Sequence, residues 1–345
     1  MPWTRVPLSA APEAGRAHEG ARSLGYVDAV REALELALEL DHRVLVLGQG
    51  VEDSAGAMFG TTRGLIGRFG AERVFDTPVS EDAMTGVCVG AAMNGLRPVL
   101  MHNRPDFVLL SMNQLVSHAA KLSYMDNGQT RVPMVVWAAI GRGWGSGPQH
   151  TQAVHGMLMG VPGLKILMPS TPYDAKGLML SAIADENPVL VFDHRWVMRQ
   201  APGPVPEGNY RVPIGKGVYR RRGGDLTIVG VSHTLTCATE AIDRLSPRIT
   251  ADVIDLRSVR PLDHEIILES VRRTGRLLVA DTAWTTGGLS AEVGCLVAER
   301  AHSALKAPLR RVGFADCPSP AGFALERHFY PDAERIAAVI EEMLA

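Results

Sequence analysis

The strongest constraint on this chain is a rhythm: short runs rich in β-branched and apolar residues alternate with segments of helical period. Strands are expected at Arg43–Leu47, Val99–Met101, Met134–Trp137, Lys165–Met168 and Val189–Phe192. Helices are expected between them at Tyr26–Leu40, Asp82–Met93, Leu110–Tyr124 and Asp174–Ile183. Such alternation predicts an α/β layer structure around a mostly parallel sheet. Four prolines between Gln200 and Pro213 interrupt it, because proline at that density continues neither a helix nor a central strand. The rhythm then restarts, with strands at Leu226–Val229, Ala251–Ile254, Leu277–Ala280 and Leu309–Val312. Helices are expected at Cys237–Leu245, His264–Thr274, Gly288–Leu305 and Asp332–Leu344. The chain therefore reads as an N-terminal arm (1–22), a larger α/β domain (23–199), a Pro-rich linker (200–213) and a smaller α/β domain (214–345).

Charge excludes some functions. With 35 Lys+Arg against 37 Asp+Glu, there is no basic excess of the kind a nucleic-acid binder carries. The cluster Arg220-Arg221-Arg222 reads as a solvated hairpin or loop edge. Four cysteines without C-x-x-C spacing suit a reducing compartment, which points to the cytoplasm, and read as small packed hydrophobes. No apolar run of membrane-spanning length occurs. The first 22 residues have no apolar core, and Glu13 and Glu19 among their arginines argue against a transit peptide.

Three segments carry candidate chemistry. In Asp76-Thr77-Pro78-Val79-Ser80-Glu81, Ser80 is an N-cap candidate and Glu81 an acid in the first helical turn. In Gly141-Arg142-Gly143-Trp144-Gly145-Ser146-Gly147-Pro148-Gln149-His150-Thr151-Gln152, alternate glycines predict a loop able to approach a ligand closely. His155, five residues after His150, lacks the spacing of a helical metal pair. Tyr124-Met125-Asp126-Asn127-Gly128-Gln129 closes the set. On residue type alone, Glu81 is an ordinary helix-start acid, Tyr124 a core aromatic and His150 a loop histidine.

Taken in order, these segments resemble the β subunit of thiamine-diphosphate-dependent 2-oxo acid dehydrogenases of the pyruvate and branched-chain type, in the transketolase-like superfamily. Pro162-Gly163-Leu164-Lys165, Pro169–Gly177, Val253–Asp263 and Thr274-Gly275-Arg276 extend the resemblance from Tyr26 to the C-terminus. It implies a pyrimidine-binding transketolase-like domain followed by a transketolase C-terminal domain. It also implies roles. Glu81 would hydrogen-bond a ring nitrogen of the cofactor's aminopyrimidine, Phe107 would stack on that ring, and Gln49 would line the cavity. His150 would manage protons at the reacting end, with Tyr124 on the substrate side. Met134, Ala182, Asp185 and Asn187 fall where some relatives bind potassium through backbone carbonyls. Magnesium and the diphosphate would be anchored mainly by an α subunit in a heterotetramer, since no Gly-Asp-Gly segment occurs here. The acyl unit would pass to a lipoyl acyltransferase.

The chain departs from the family at several points. Gln49 stands where relatives usually carry an acid, Asn113 replaces a usual aspartate, and Trp137 takes a position often held by arginine. His102 and Arg104 make the segment before Phe107 more polar than usual, which suits a polar or carboxylated substrate. Gln49, His102 and Arg104 keep open a split transketolase-like or acyloin-forming carboligase; a non-catalytic scaffold or regulatory subunit is a further alternative, against which Glu81 together with His150 argues. A nicotinamide enzyme is more distant, because no Gly-x-Gly-x-x-Gly follows a strand.

Overall fold

The computed structural model describes residues 22–141 and 145–345. The expected arm therefore lies, apart from Arg22, outside the described residues, as do Arg142, Gly143 and Trp144 of the glycine-rich segment. Among the described residues, one compact unit holds 22–140 and 160–214, and a second holds 141, 145–159 and 215–345.

In chain order the first unit opens with β1 (Arg22–Leu24), α1 (Tyr26–Leu40), β2 (Val44–Gly48), α2 (Ala57–Gly60), α3 (Leu65–Phe69) and β3 (Val74–Asp76). Next come α4 (Glu81–Met93), β4 (Arg97–His102), α5 (Pro105–Val108), α6 (Leu122–Met125) and β5 (Val135–Ile140). After α7 (His155–Met159), which groups with the second unit, it resumes with β6 (Lys165–Leu167), α8 (Pro172–Ala184), β7 (Val189–His194) and β8 (Gly203–Val205). Its main sheet includes the run β6–β7–β5–β4–β2–β3, every adjacent pair parallel. Strands β4, β5 and β7 are buried at every position, as a parallel sheet covered on both faces requires.

Helix α1 buries Tyr26, Ala29, Val30, Ala33, Leu34, Ala37 and Leu38, a stripe at steps of three and four, and packs against α8. Burying a side chain such as Leu34 contributes about 1.5–3 kcal/mol. The Pro-rich connection is packed. Its strand β8 pairs antiparallel with β1, Val205 and Val212 are fully buried, and the Tyr210 ring stacks on Tyr173 at 4.7 Å. Buried Lys176 donates to Glu32 Oε1 at 2.6 Å and to the Pro206 carbonyl at 2.8 Å, joining α1, α8 and that connection.

One expected helix differs. Residues 110–124 are broken into a tight turn at Leu109–Ser111, a wide π-helical stretch at Asn113–Ala119, and α6. The Ala120 N–H reaches the Leu115 carbonyl five residues back at 3.0 Å, the spacing of a π turn. No glycine or proline marks the break.

The second unit runs β9 (Val218–Arg221), β10 (Leu226–Gly230), α9 (His233–Leu245), β11 (Ala251–Asp255), β12 (Ser258–Arg260) and α10 (His264–Thr274). It ends with β13 (Leu277–Trp284), α11 (Leu289–Arg300), β14 (Arg310–Phe314), α12 (Phe323–Phe329) and α13 (Ala333–Leu344). The sheet order is β14–β13–β10–β11–β9, parallel except for the edge strand β9. The arginine cluster closes that edge strand, with Arg220 and Arg221 in β9 and exposed Arg222 just after it. Arg220 pairs with Asp255, Arg221 with Asp243, and Arg222 with Asp252. Asp252 and Asp255 are fully buried, and a carboxylate taken out of water requires such a partner. Two cysteines also depart from expectation: Cys295 and Cys317 are exposed, whereas Cys88 and Cys237 are buried.

Candidate functional site

Strands β2 and β4 lie in parallel register with Gly48 opposite Met101. A Cβ on Gly48, at φ +150°, would come within 2.4 Å of the Met101 carbonyl oxygen, so glycine is what lets the strand ends close this tightly. From β2 the chain winds to β3 on one side and returns to β4 on the other. The carboxyl ends of strands at such a reversal form the crevice where open α/β sheets bind ligands. Gln49 follows β2, His102 ends β4, and Glu81 opens α4 at this place.

Glu81 is 8% exposed. Gln49 Nε2 donates to its Oε1 at 3.3 Å, and Asn103 Nδ2 holds the Gln49 carbonyl at 2.8 Å. One turn along α4, Thr85 Oγ1 lies 2.7 Å from the Glu81 carbonyl oxygen, 2.9 Å from Ser111 Oγ and 3.2 Å from His102 Nε2. A hydroxyl donates one proton only. With Thr85 donating to the Glu81 carbonyl, the Ser111 hydroxyl and a protonated His102 Nε2 donate toward Thr85. Burial pushes the His102 imidazole down to about 4, against the pull of the Glu81 charge, so the ring is neutral near pH 7. Ser80 occupies the N-cap position, but its hydroxyl makes no capping bond. The arrangement is a carboxyl group in the first turn of a helix, held by a neutral amide at the carboxyl end of the parallel sheet. It can accept a hydrogen bond from, or pass a proton to, a nitrogen heterocycle.

The remaining expected residues are distributed unevenly. His102 is 2% exposed and reaches Thr85, so it stands behind Glu81 rather than on an open substrate wall. Half-buried Phe107 lies on α5, and Arg104 precedes that helix. Burial lowers the Arg104 pKa while Asp106 opposes the shift. Tyr124 is 91% exposed on α6 and is no core aromatic. His150, half-buried, follows the turn Gly147–Gln149 and belongs to the second unit.

Met134, Ala182, Asp185 and Asn187 gather at the turn between α8 and β7. The Met134 carbonyl accepts Val189 N–H at 3.0 Å, the Ala182 carbonyl accepts Asp185 N–H at 3.3 Å, and Arg97 donates to the Asp185 carbonyl at 3.0 Å. Each carbonyl oxygen retains a second lone pair. Among the described residues no group of three His, Cys, Asp or Glu side chains is placed to hold a metal ion, and no helix is long and apolar enough to cross a membrane. Thr85, Ser111 and Asn103 escaped the sequence reading. Only the four-residue step from Glu81 to Thr85 on one helix face could have signalled the first.

Residues 22–200 match the family described as transketolase, pyrimidine binding domain, and residues 215–336 match transketolase, C-terminal domain. The chain is 39% identical to the 2-oxoisovalerate dehydrogenase subunit beta of Bacillus subtilis over 93% of its own length and 98% of the relative's. It is 37% identical to the acetoin:2,6-dichlorophenolindophenol oxidoreductase subunit beta of the same organism (94% and 98% covered). Identity is also 37% to the pyruvate dehydrogenase E1 component subunit beta of Acholeplasma laidlawii (92% and 97% covered). Among solved structures, a split-gene transketolase described as an inactive beta4 tetramer superposes with a TM-score of 0.73 at 21% identity, covering 94% of this chain and 99% of that one. That likeness shows the fold. The chain belongs to the β subunits of the 2-oxo acid dehydrogenase family, built from a transketolase-type pyrimidine-binding domain and a transketolase C-terminal domain.

Proposed function

We propose that this chain is the β half of a thiamine-diphosphate-dependent 2-oxo acid dehydrogenase, active only with an α subunit. The observation that carries this reading is Glu81, buried at the opening of α4 with the Gln49 amide as its side-chain donor. Such a carboxyl group fits the aminopyrimidine ring nitrogen. When bound, thiamine diphosphate supplies the electron sink that lets a 2-oxo acid lose carbon dioxide. Glu81 would hold the pyrimidine and its proton, with Gln49 fixing the carboxyl orientation. Phe107 would stack on the ring, and Arg104 and Tyr124 would face the substrate side. His150 would move a proton at the acyl end. The α subunit would contribute the magnesium and diphosphate ligands in an α2β2 heterotetramer of the cytoplasm, and the acyl unit would leave on the lipoyl group of an acyltransferase. The turn at 182–187 would take potassium as an additional ligand, which predicts a higher melting temperature in potassium than in tetramethylammonium chloride.

The test uses the purified α and β chains together. Glu81→Gln should abolish turnover of 2-oxo acids while the complex still assembles; unchanged turnover would remove Glu81 from the reaction and favour a scaffold role. A second reading, transfer to an aldehyde or ketone, draws on the relative named for acetoin and on the Gln49 amide. Carbon–carbon bond formation without lipoyl-dependent acyl transfer would establish that reading instead.

A further inference from the structure

His150 lies between β5 and β6 in sequence, yet its segment makes its contacts with the second unit. Backbone approaches hold the two ends of that segment. A Cβ on Gly145 would meet the Ala321 carbonyl oxygen at 3.3 Å, and one on Gly147 would meet Ala321 Cβ at the same distance. Gly156 faces Gly288 Cα, where a Cβ would be 3.2 Å away, and Arg260 Nη1 donates to the Met159 carbonyl at 2.5 Å. Between these lies a side-chain contact of another kind. His155 Nε2 donates to Asp281 Oδ1 at 2.9 Å, and both side chains are fully enclosed.

Asp281 sits on the central part of β13 among buried neighbours, so its carboxylate depends on His155 for compensation. Any other seating of the segment would leave that charge unpaired in the interior. Residues between His155 and His150 transmit the constraint, since Val154 and Ala153 are buried and Thr151 Oγ1 donates to the Gly147 carbonyl at 2.7 Å.

We infer that His155 and Asp281 are positioning residues that let the C-terminal domain fix the loop carrying His150. The inference rests on the role proposed above for His150, so its test reads the loop and the reaction separately. Amide hydrogen exchange on the αβ complex should accelerate over residues 145–159 in Asp281→Leu and stay near wild type in the conservative Asp281→Asn. In steady-state turnover, Asp281→Leu should lower kcat by about 10- to 100-fold with KM little changed. In a His150→Asn background the same substitution should cost less than about threefold, because residues acting through one group are not additive. Unchanged exchange over 145–159 would overturn the inference, and so, where His150→Asn itself lowers kcat, would unchanged kcat in Asp281→Leu or fully multiplicative losses. Should His150→Asn leave kcat intact, the function proposed for His150 falls, and faster exchange confined to 145–159 would still uphold the pair as the loop's anchor.

Discussion

The side-chain amide of Gln49 donates to the carboxyl group of Glu81 across 3.3 Å. The family resemblance leads one to expect an acid at the first of these positions. Gln49→Glu would place two carboxyl groups at hydrogen-bonding distance, and like charges that close share a proton. The kcat/KM profile of the reconstituted enzyme should then gain an apparent pKa above the ordinary carboxylate range. A profile identical to wild type would mean that the two side chains do not meet in the working enzyme.

His102 gives an acid-sensitive brace. Its folded pKa is pushed below the ordinary 6.5 to about 4 by burial, so the unfolded chain binds a proton that the folded chain refuses. Its contribution is fully present above about pH 6.5 and is lost as pH falls toward about 4. His102→Phe should flatten the fall in unfolding free energy over that window, by an amount on the order of 2–3 kcal/mol. An unaltered slope would place the ring in water.

Asp193 predicts the opposite sign. Burial raises its pKa to about 6, while hydrogen bonds from Tyr26 and Trp137 pull it back down. The folded state therefore binds the extra proton, and the cost of the buried charge is relieved as pH falls through about 6 toward the unfolded value. Asp193→Asn should remove that gain on acidification. Thermal melts at pH 7 and pH 5 decide it: a wild-type difference retained by the variant would be incompatible with this assignment.

Lys176 and Glu32 should respond asymmetrically. Burial lowers the Lys176 pKa and Glu32 holds it up. Glu32→Gln leaves a buried ammonium group without its counter-charge, beside the Pro206 carbonyl and the Tyr210 ring, a loss of up to about 3–5 kcal/mol by analogy with other broken buried pairs. Lys176→Met removes the buried charge and preserves most of the volume, so it should cost clearly less in urea denaturation. Equal losses would contradict the enclosed seat of the ammonium.

Much of this was legible because it is local. The ends of α1 and α10 follow from apolar spacing, and Gly275 stops α10 at φ +77°. The order of the Glu81 and His150 segments gave the family. What stayed hidden is held by distant partners. Thr85 meets Ser111 across 26 positions and His155 meets Asp281 across 126, and no local pattern specifies either pair. The π-helical stretch lacks a composition signal, and the short strand β3 is only three residues before the Thr77-Pro78 corner.

Strand β1 has consequences for the chain during synthesis. Its partner β8 is made roughly 180 residues later, which at about 5–20 residues per second is a wait of about 10–40 s. Through that interval Arg22–Leu24 has no strand to lie beside, although Glu32 on the neighbouring helix can already engage Arg22. The first unit can therefore build its parallel sheet before its two ends are joined, and the β1–β8 pair records that the ribosome has passed the prolines.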